Sequence, residues 1–190
     1  MRSRGRRGAL LLGSLGLLAL LTLPATVWAK EKEQGQGQGQ VGALLTGFQE
    51  VPAISTRGRG EFRARLRDNS TLEFELRYAD LEGGNPSAAH IHLGQRGANG
   101  GVVAFLCGGG GKPACPGATS GTVTGTIVAA DIQALPAQGI AAGELNEVVA
   151  AVRAGVTYVN VHTSTYGSGE IRGQIGRGNG KADDHKGDDD

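Results

Sequence analysis

Aromatic side chains are scarce in this chain, 4% of residues with a single tryptophan at Trp28. A core must therefore be assembled from Val, Leu, Ile and Ala. An excess of charge of one sign is also missing: 19 Lys and Arg stand against 18 Asp and Glu. Nothing here draws a phosphate backbone, so no nucleic-acid partner is expected. The 34 glycines follow no G-X-Y period, which excludes collagen. No G-x-S-x-G elbow, P-loop or H-E-x-x-H segment occurs, and with them go the hydrolase, nucleotide-binding and metalloprotease signatures. The expectation is a chain that is not an enzyme. The longest apolar run, residues 9–23, has 15 positions, short of the roughly 20 that span a bilayer.

That run has a context. Arg2, Arg4, Arg6 and Arg7 precede it without an acid, and Val27-Trp28-Ala29 follows with small residues at the exit. A basic start, an apolar stretch of this length and an A-x-A-like end predict a signal peptide over residues 1–29, removed on export. The mature product would have 161 residues, a formal charge of −3, no tryptophan and no membrane span. Its place would be secreted or periplasmic. Residues 30–40, KEKEQGQGQGQ, read as a disordered polar linker, and residues 176–190 as a disordered acidic tail. The folded unit is then 41–175. Two cysteines lie in it, Cys107 and Cys115, bracketing a glycine-rich segment. In an oxidising compartment this spacing predicts a local disulfide, and no third ligand stands near to suggest metal.

Inside the unit a period of two dominates. Phe62, Ala64 and Leu66 alternate with charged residues, and so do Leu72, Phe74, Leu76 and Tyr78; this is a β-hairpin with one dry face. Pairing positions whose numbers sum to 138 sets Arg65 against Glu73, Arg63 against Glu75 and Glu61 against Arg77. A shift to 140 or 136 would oppose like charges, so the first register is expected, with a loop at 68–70. Further strands are expected at 44–48, 88–93, 102–107, 121–128, 157–163 and 170–175. Leu145, Val148, Val149 and Val152 fall at i, i+3, i+4 and i+7 before Gly155, predicting one short helix over 144–154; a helical turn near 129–134 is also foreseen. Many short strands with glycine-rich turns indicate a mainly β fold, an antiparallel sandwich or closed Greek-key barrel.

Three histidines fall in these strands. His90 and His92 lie two apart and share a face, while Ala89 and Ile91 point to the core. On the strand at 157–163, Val159 and Val161 are the core residues, leaving Tyr158, Asn160 and His162 outward. If the two strands are neighbours, three neutral imidazoles meet on the outer face of the sheet, a donor set suited to copper or zinc. The other reading is that they hydrogen-bond neighbouring turns. Glu50 is a buried carboxylate, an outer partner of an imidazole or, the preferred reading, a group that caps or pins a turn. Glu170 and Arg172 are expected to form a surface ion pair, and Asn69-Ser70-Thr71 fits a glycosylation acceptor.

The segments Leu45-Thr46-Gly47-Phe48-Gln49-Glu50-Val51-Pro52, Ala88-Ala89-His90-Ile91-His92-Leu93-Gly94 and Tyr158-Val159-Asn160-Val161-His162-Thr163, with the later Gly169-Glu170-Ile171-Arg172-Gly173-Gln174-Ile175, occur in an order that resembles the CHRD (chordin) domain family. The resemblance implies a compact, mostly β extracellular domain. In chordin such domains are repeated within an antagonist of bone morphogenetic proteins; here there is one copy and no cysteine-rich module, so that activity does not transfer. A weaker similarity joins the H-x-H pair and later histidine to copper/zinc superoxide dismutase. No histidine lies between His92 and His162, so the bridging ligand and the histidine-rich zinc loop are missing. The fold expected is therefore immunoglobulin-like or superoxide-dismutase-like. The function expected is a secreted, non-catalytic binding or structural module whose partner is an extracellular or periplasmic protein or matrix component. The alternative is a copper- or zinc-binding protein using His90, His92 and His162.

Overall fold

The computed structural model describes residues 39–67 and 70–177. The expected leader 1–29, the linker up to residue 38, the tail beyond residue 177 and Asn69 lie outside the described residues. Nine strands form one antiparallel sheet: β1 (Gln40–Thr46), β2 (Arg59–Arg67), β3 (Thr71–Ala79), β4 (Pro86–Leu93), β5 (Gly101–Cys107), β6 (Gly121–Ile127), β7 (Thr157–Thr163), β8 (Ile171–Gln174) and β9 (Gly176–Arg177). The order is β5-β4-β7-β8-β1-β2-β3-β6, with β9 added to β1. The end strands β5 and β6 approach each other without ladder pairing, so the sheet is a nearly closed barrel. Strands β4, β5 and β6 follow one another around the wall and β7 returns beside β4, a Greek-key path.

The hairpin register is the charge-selected one. Arg65 opposes Glu73, Arg63 opposes Glu75 and Glu61 opposes Arg77. The ion pairs themselves form along a strand or on a diagonal, as in Glu61–Arg63, Glu75–Arg77 and Arg67–Glu73, because the long side chains reach to the next outward position. The dry face of the hairpin carries Phe62, Leu72, Phe74 and Leu76 into the barrel, where they meet Leu45, Ala89, Ile91, Val103, Val159, Val161 and Ile171. The aliphatic composition thus supplies the core, with the stacked pair Phe62–Phe74 as its main aromatic element.

Among the described residues one α-helix, α1 (Leu145–Arg153), packs on the core with Leu145, Val148, Val149 and Val152 buried, the four positions its period selects. Ala129–Asp131 forms a single 3-10 turn. Cys107 and Cys115 are joined, their Cα atoms 5.0 Å apart. Strand β1 ends two residues earlier than the sequence suggests: Gly47–Gln49 turn into a 3-10 helix because Gly47 packs on the backbone of Ile54 and Glu170, where a side chain would not fit.

Candidate metal centre

Strands β4 and β7 are paired neighbours, with Ala88 opposite His162, His90 opposite Asn160 and His92 opposite Tyr158. Ala89, Ile91, Val159 and Val161 are fully buried in the barrel. Alternation then sends His90, His92, Asn160 and His162 to the other face of the sheet. The strand pairing brings all three expected imidazoles together: their candidate donor atoms lie within 4.8 Å of one another. His90 Nδ1 and His162 Nε2 are 3.1 Å apart.

The expectation of an open outer surface is corrected. His90 is 9% exposed and His92 7%, because loops and ring systems roof this part of the wall. Phe105 of β5 packs edge-on against His90, with ring centroids 4.5 Å apart, and Tyr158 stacks flat on His92 at 4.6 Å. Gly100 of the segment 94–100 adds to the cover, its carbonyl meeting His92 Nδ1. Arg172 holds that segment, donating to the carbonyls of Gln95 (3.2 Å) and Ala98 (2.7 Å) and to Asn99 Oδ1 (3.3 Å), while its guanidinium sits 3.5 Å from the Tyr158 ring centroid. Burial depresses the Arg172 pKa.

Arg172 is 1% exposed and Glu170 0%, so the expected surface ion pair between them does not exist. Glu170 instead accepts the backbone N–H groups of Glu82 (2.7 Å) and Gly83 (3.0 Å) and the Thr56 hydroxyl (2.7 Å). Glu170 immediately precedes β8 and Arg172 lies within it, and each side chain pins a different segment, Glu170 that of residues 82–83 and Arg172 that of residues 95–99.

The hydrogen bonds fix which nitrogens are free. His92 Nδ1–H donates to the Gly100 carbonyl (3.0 Å) and His162 Nδ1–H to that of Gly167 (2.9 Å). Both rings therefore turn an Nε2 lone pair inward. His92 Nε2 and His90 Nε2 are buried without a hydrogen-bond partner, a condition that costs free energy and calls for an explanation. Burial, then the neighbouring His162 and His92, push the His90 pKa down to about 3. Burial also lowers those of His92 and His162. All three rings are thus neutral at pH 7, the form that ligates metal.

Glu50 arrives from the opening motif and is buried, 7% exposed with Oε1 unpartnered. Burial lifts its pKa to about 7 against the opposing pull of Arg172, the Val51 N–H and Asn160. It sits against Gly169, whose positive φ of 125° and missing side chain leave the space that Glu50 Oε1 and Asn160 Nδ2 border. The opening, central and closing motifs therefore converge on one polar patch.

A family model described as CHRD domain matches residues 41–175. The chain belongs to the CHRD domain family. The match spans β1 through β8 and includes every residue of the patch. A search of curated proteins finds no match to this CHRD chain.

Proposed function

We propose that this CHRD domain is a metal-binding module that works outside the cytoplasm and takes up a copper or zinc ion on His90, His92 and His162. The observation that carries the reading is the convergence of three neutral imidazoles whose candidate donor atoms lie within 4.8 Å of one another, with His90 Nε2 and His92 Nε2 buried and unpartnered. Imidazole nitrogen is a borderline donor suited to both metals. Backbone carbonyls behind His92 and His162 hold the rings as outer partners do around ligating histidines. Storage or sensing follows most directly from a roofed site, since the cover of Phe105, Tyr158 and residues 94–100 keeps a large substrate away. Titration of the purified chain with Zn(II) or Cu(II) tests it. One ion per chain at micromolar or tighter affinity, abolished in His92→Ala, is expected; identical behaviour of wild type and the His90→Ala/His92→Ala double variant refutes it.

Export is supported by the basic, apolar and small-residue succession of residues 1–29. No helix among the described residues is long and apolar enough to cross a membrane. Recovered mature protein should lack indole emission on excitation at 295 nm, since Trp28 would leave with the leader. Retained emission contradicts cleavage. A second reading, a module docking on an extracellular or periplasmic protein or matrix component, is favoured by Phe48, 73% exposed, and Leu44, 39% exposed. Pull-downs in which Phe48→Ser loses a partner that wild type retains would support it, and an inert wild-type domain would count against it.

A further inference from the structure

The metal reading leaves the fourth position unassigned. We infer that the side-chain carbonyl of Asn160 is the fourth donor, making a three-nitrogen, one-oxygen centre for a divalent ion, with Glu50 as the residue that positions the amide. The inference rests on the metal reading above and names its coordination and ion class.

Register supplies the first argument. Asn160 stands directly opposite His90 and two residues before His162, so the three histidines and this amide occupy one patch on two adjacent strands. Asn160 is 2% exposed, and its Oδ1 lies 3.1 Å from His162 Nε2. Donor atoms around a tetrahedral zinc at about 2.0–2.1 Å stand ~3.3 Å apart; the Asn160 oxygen is already within a few tenths of an ångström of that separation.

Acceptors around His162 are in excess. His162 Nδ1 faces the Gly167 carbonyl at 2.9 Å, and Nε2 faces Asn160 Oδ1 at 3.1 Å. A neutral imidazole carries one N–H and satisfies one of these oxygens; the N–H of His90 Nδ1, 3.1 Å away, engages His162 Nε2 and leaves Asn160 Oδ1 facing a lone pair. A cation between Nε2 and Oδ1 removes the conflict.

Amide orientation supplies the third. A Cβ placed on Gly169 would lie 2.3 Å from Glu50 Oε1 and 2.8 Å from Asn160 Nδ2, so amide nitrogen and carboxylate border the same small space. Turning the amide over would set its oxygen toward Glu50, acceptor against acceptor whenever that carboxyl is ionised. Glu50 thereby directs Oδ1 at the imidazoles, and the absence of a side chain at Gly169 lets it do so.

A hard carbonyl oxygen with three imidazoles favours Zn(II) or Cu(II) over Cu(I), which prefers softer donors. The test measures Zn(II) affinity by chelator competition and the visible absorption of the Co(II) form, for wild type, Asn160→Leu, Asn160→Asp and Glu50→Gln. Asn160→Leu should weaken Zn(II) at least tenfold and alter the Co(II) bands while leaving Cu(I) affinity within threefold. Asn160→Asp, which keeps an oxygen in place, should bind Zn(II) at least as tightly as wild type. Glu50→Gln should weaken Zn(II) by roughly 10–100-fold, the range for outer partners of ligands. Wild-type Zn(II) affinity and Co(II) bands in Asn160→Leu overturn the inference and leave the three-histidine reading standing; equal losses of Zn(II) and Cu(I) overturn the ion class. Should Asn160→Leu not fold, Asn160→Asp decides: weaker Zn(II) binding there than in wild type overturns it. Absence of binding by wild type itself defeats the underlying metal reading.

Discussion

Replacing Glu50 by Gln changes one atom in the buried patch and should change how stability depends on pH. The carboxyl titrates at about 7 in the folded chain against an ordinary value of 4.5. Because the folded pKa is the higher one, Glu50 contributes stability that is fully present below pH 4.5 and lost as pH rises through 7. Between pH 5 and pH 8 the loss amounts to about 2.5 kcal/mol, each unit of pKa difference being worth ~1.36 kcal/mol. Glutamine cannot titrate, so the variant lacks this loss. The histidines act with the opposite sign: their depressed pKa values, about 3 for His90, remove stability as pH falls below 6.5, equally in both proteins. Comparing wild type with Glu50→Gln cancels that contribution. Urea unfolding of the two metal-free chains at pH 5 and pH 8 gives four free energies. The difference between variant and wild type should move in favour of the variant by about 2.5 kcal/mol from the lower to the higher pH. Parallel profiles, within about 0.5 kcal/mol, would refute the claim that desolvation governs this carboxyl.

Other substitutions probe the roof and the barrel. Gly169→Ala should cost ~2 kcal/mol or more by denaturant unfolding, since its φ of 125° disfavours a side chain and the new Cβ would press on Glu50 Oε1. Glu170→Ala should cost ~3 kcal/mol, because two backbone N–H groups and the Thr56 hydroxyl lose their acceptor. Thermal unfolding unchanged within a degree would count against the buried role of Glu170. Removing the Cys107–Cys115 bond, which closes a loop of sequence separation 8, should lower stability by ~2–3 kcal/mol. Gly109 and Gly110 of that loop pack on Phe105, which covers His90, so amide exchange should also quicken in β4. Arg172→Lys should speed amide exchange in residues 94–100, since an ammonium cannot reproduce both the planar stack on Tyr158 and the fork to Gln95 and Ala98; unaltered exchange would show the segment is held by other means.

Much of this was legible in the residue order, and the reasons are physical. Period-two alternation is a direct image of a sheet with one dry face, so the strands and the core set Phe62, Leu76, Ile91 and Val161 could be read off. Charge selected the β2–β3 register because a shift of two residues in either direction opposes like charges. The helix announced itself by four apolar positions that all prove buried. What alternation does not encode is the roof. It separates the inside of the barrel from the outside, and the outside of a barrel wall is not the outside of the protein when loops fold back over it. For that reason Arg172 and Glu170 read as a solvated pair, while in the fold each is the polar peg of a covering loop. The same gap hid the burial of Tyr158 and Asn160 and left Glu50 between readings. A usable signal was present nonetheless: H-x-H on one strand and N-x-H on another place four donors on two faces that pairing can join.

Everything proposed for this patch requires that the imidazoles of His90, His92 and His162 hold one ion between them. Anomalous diffraction at the zinc edge, from crystals of the full chain grown with equimolar Zn(II), examines that directly. A single strong peak about 2.0–2.1 Å from one nitrogen of each ring is predicted. A peak elsewhere, or none at the junction of β4 and β7, would contradict it.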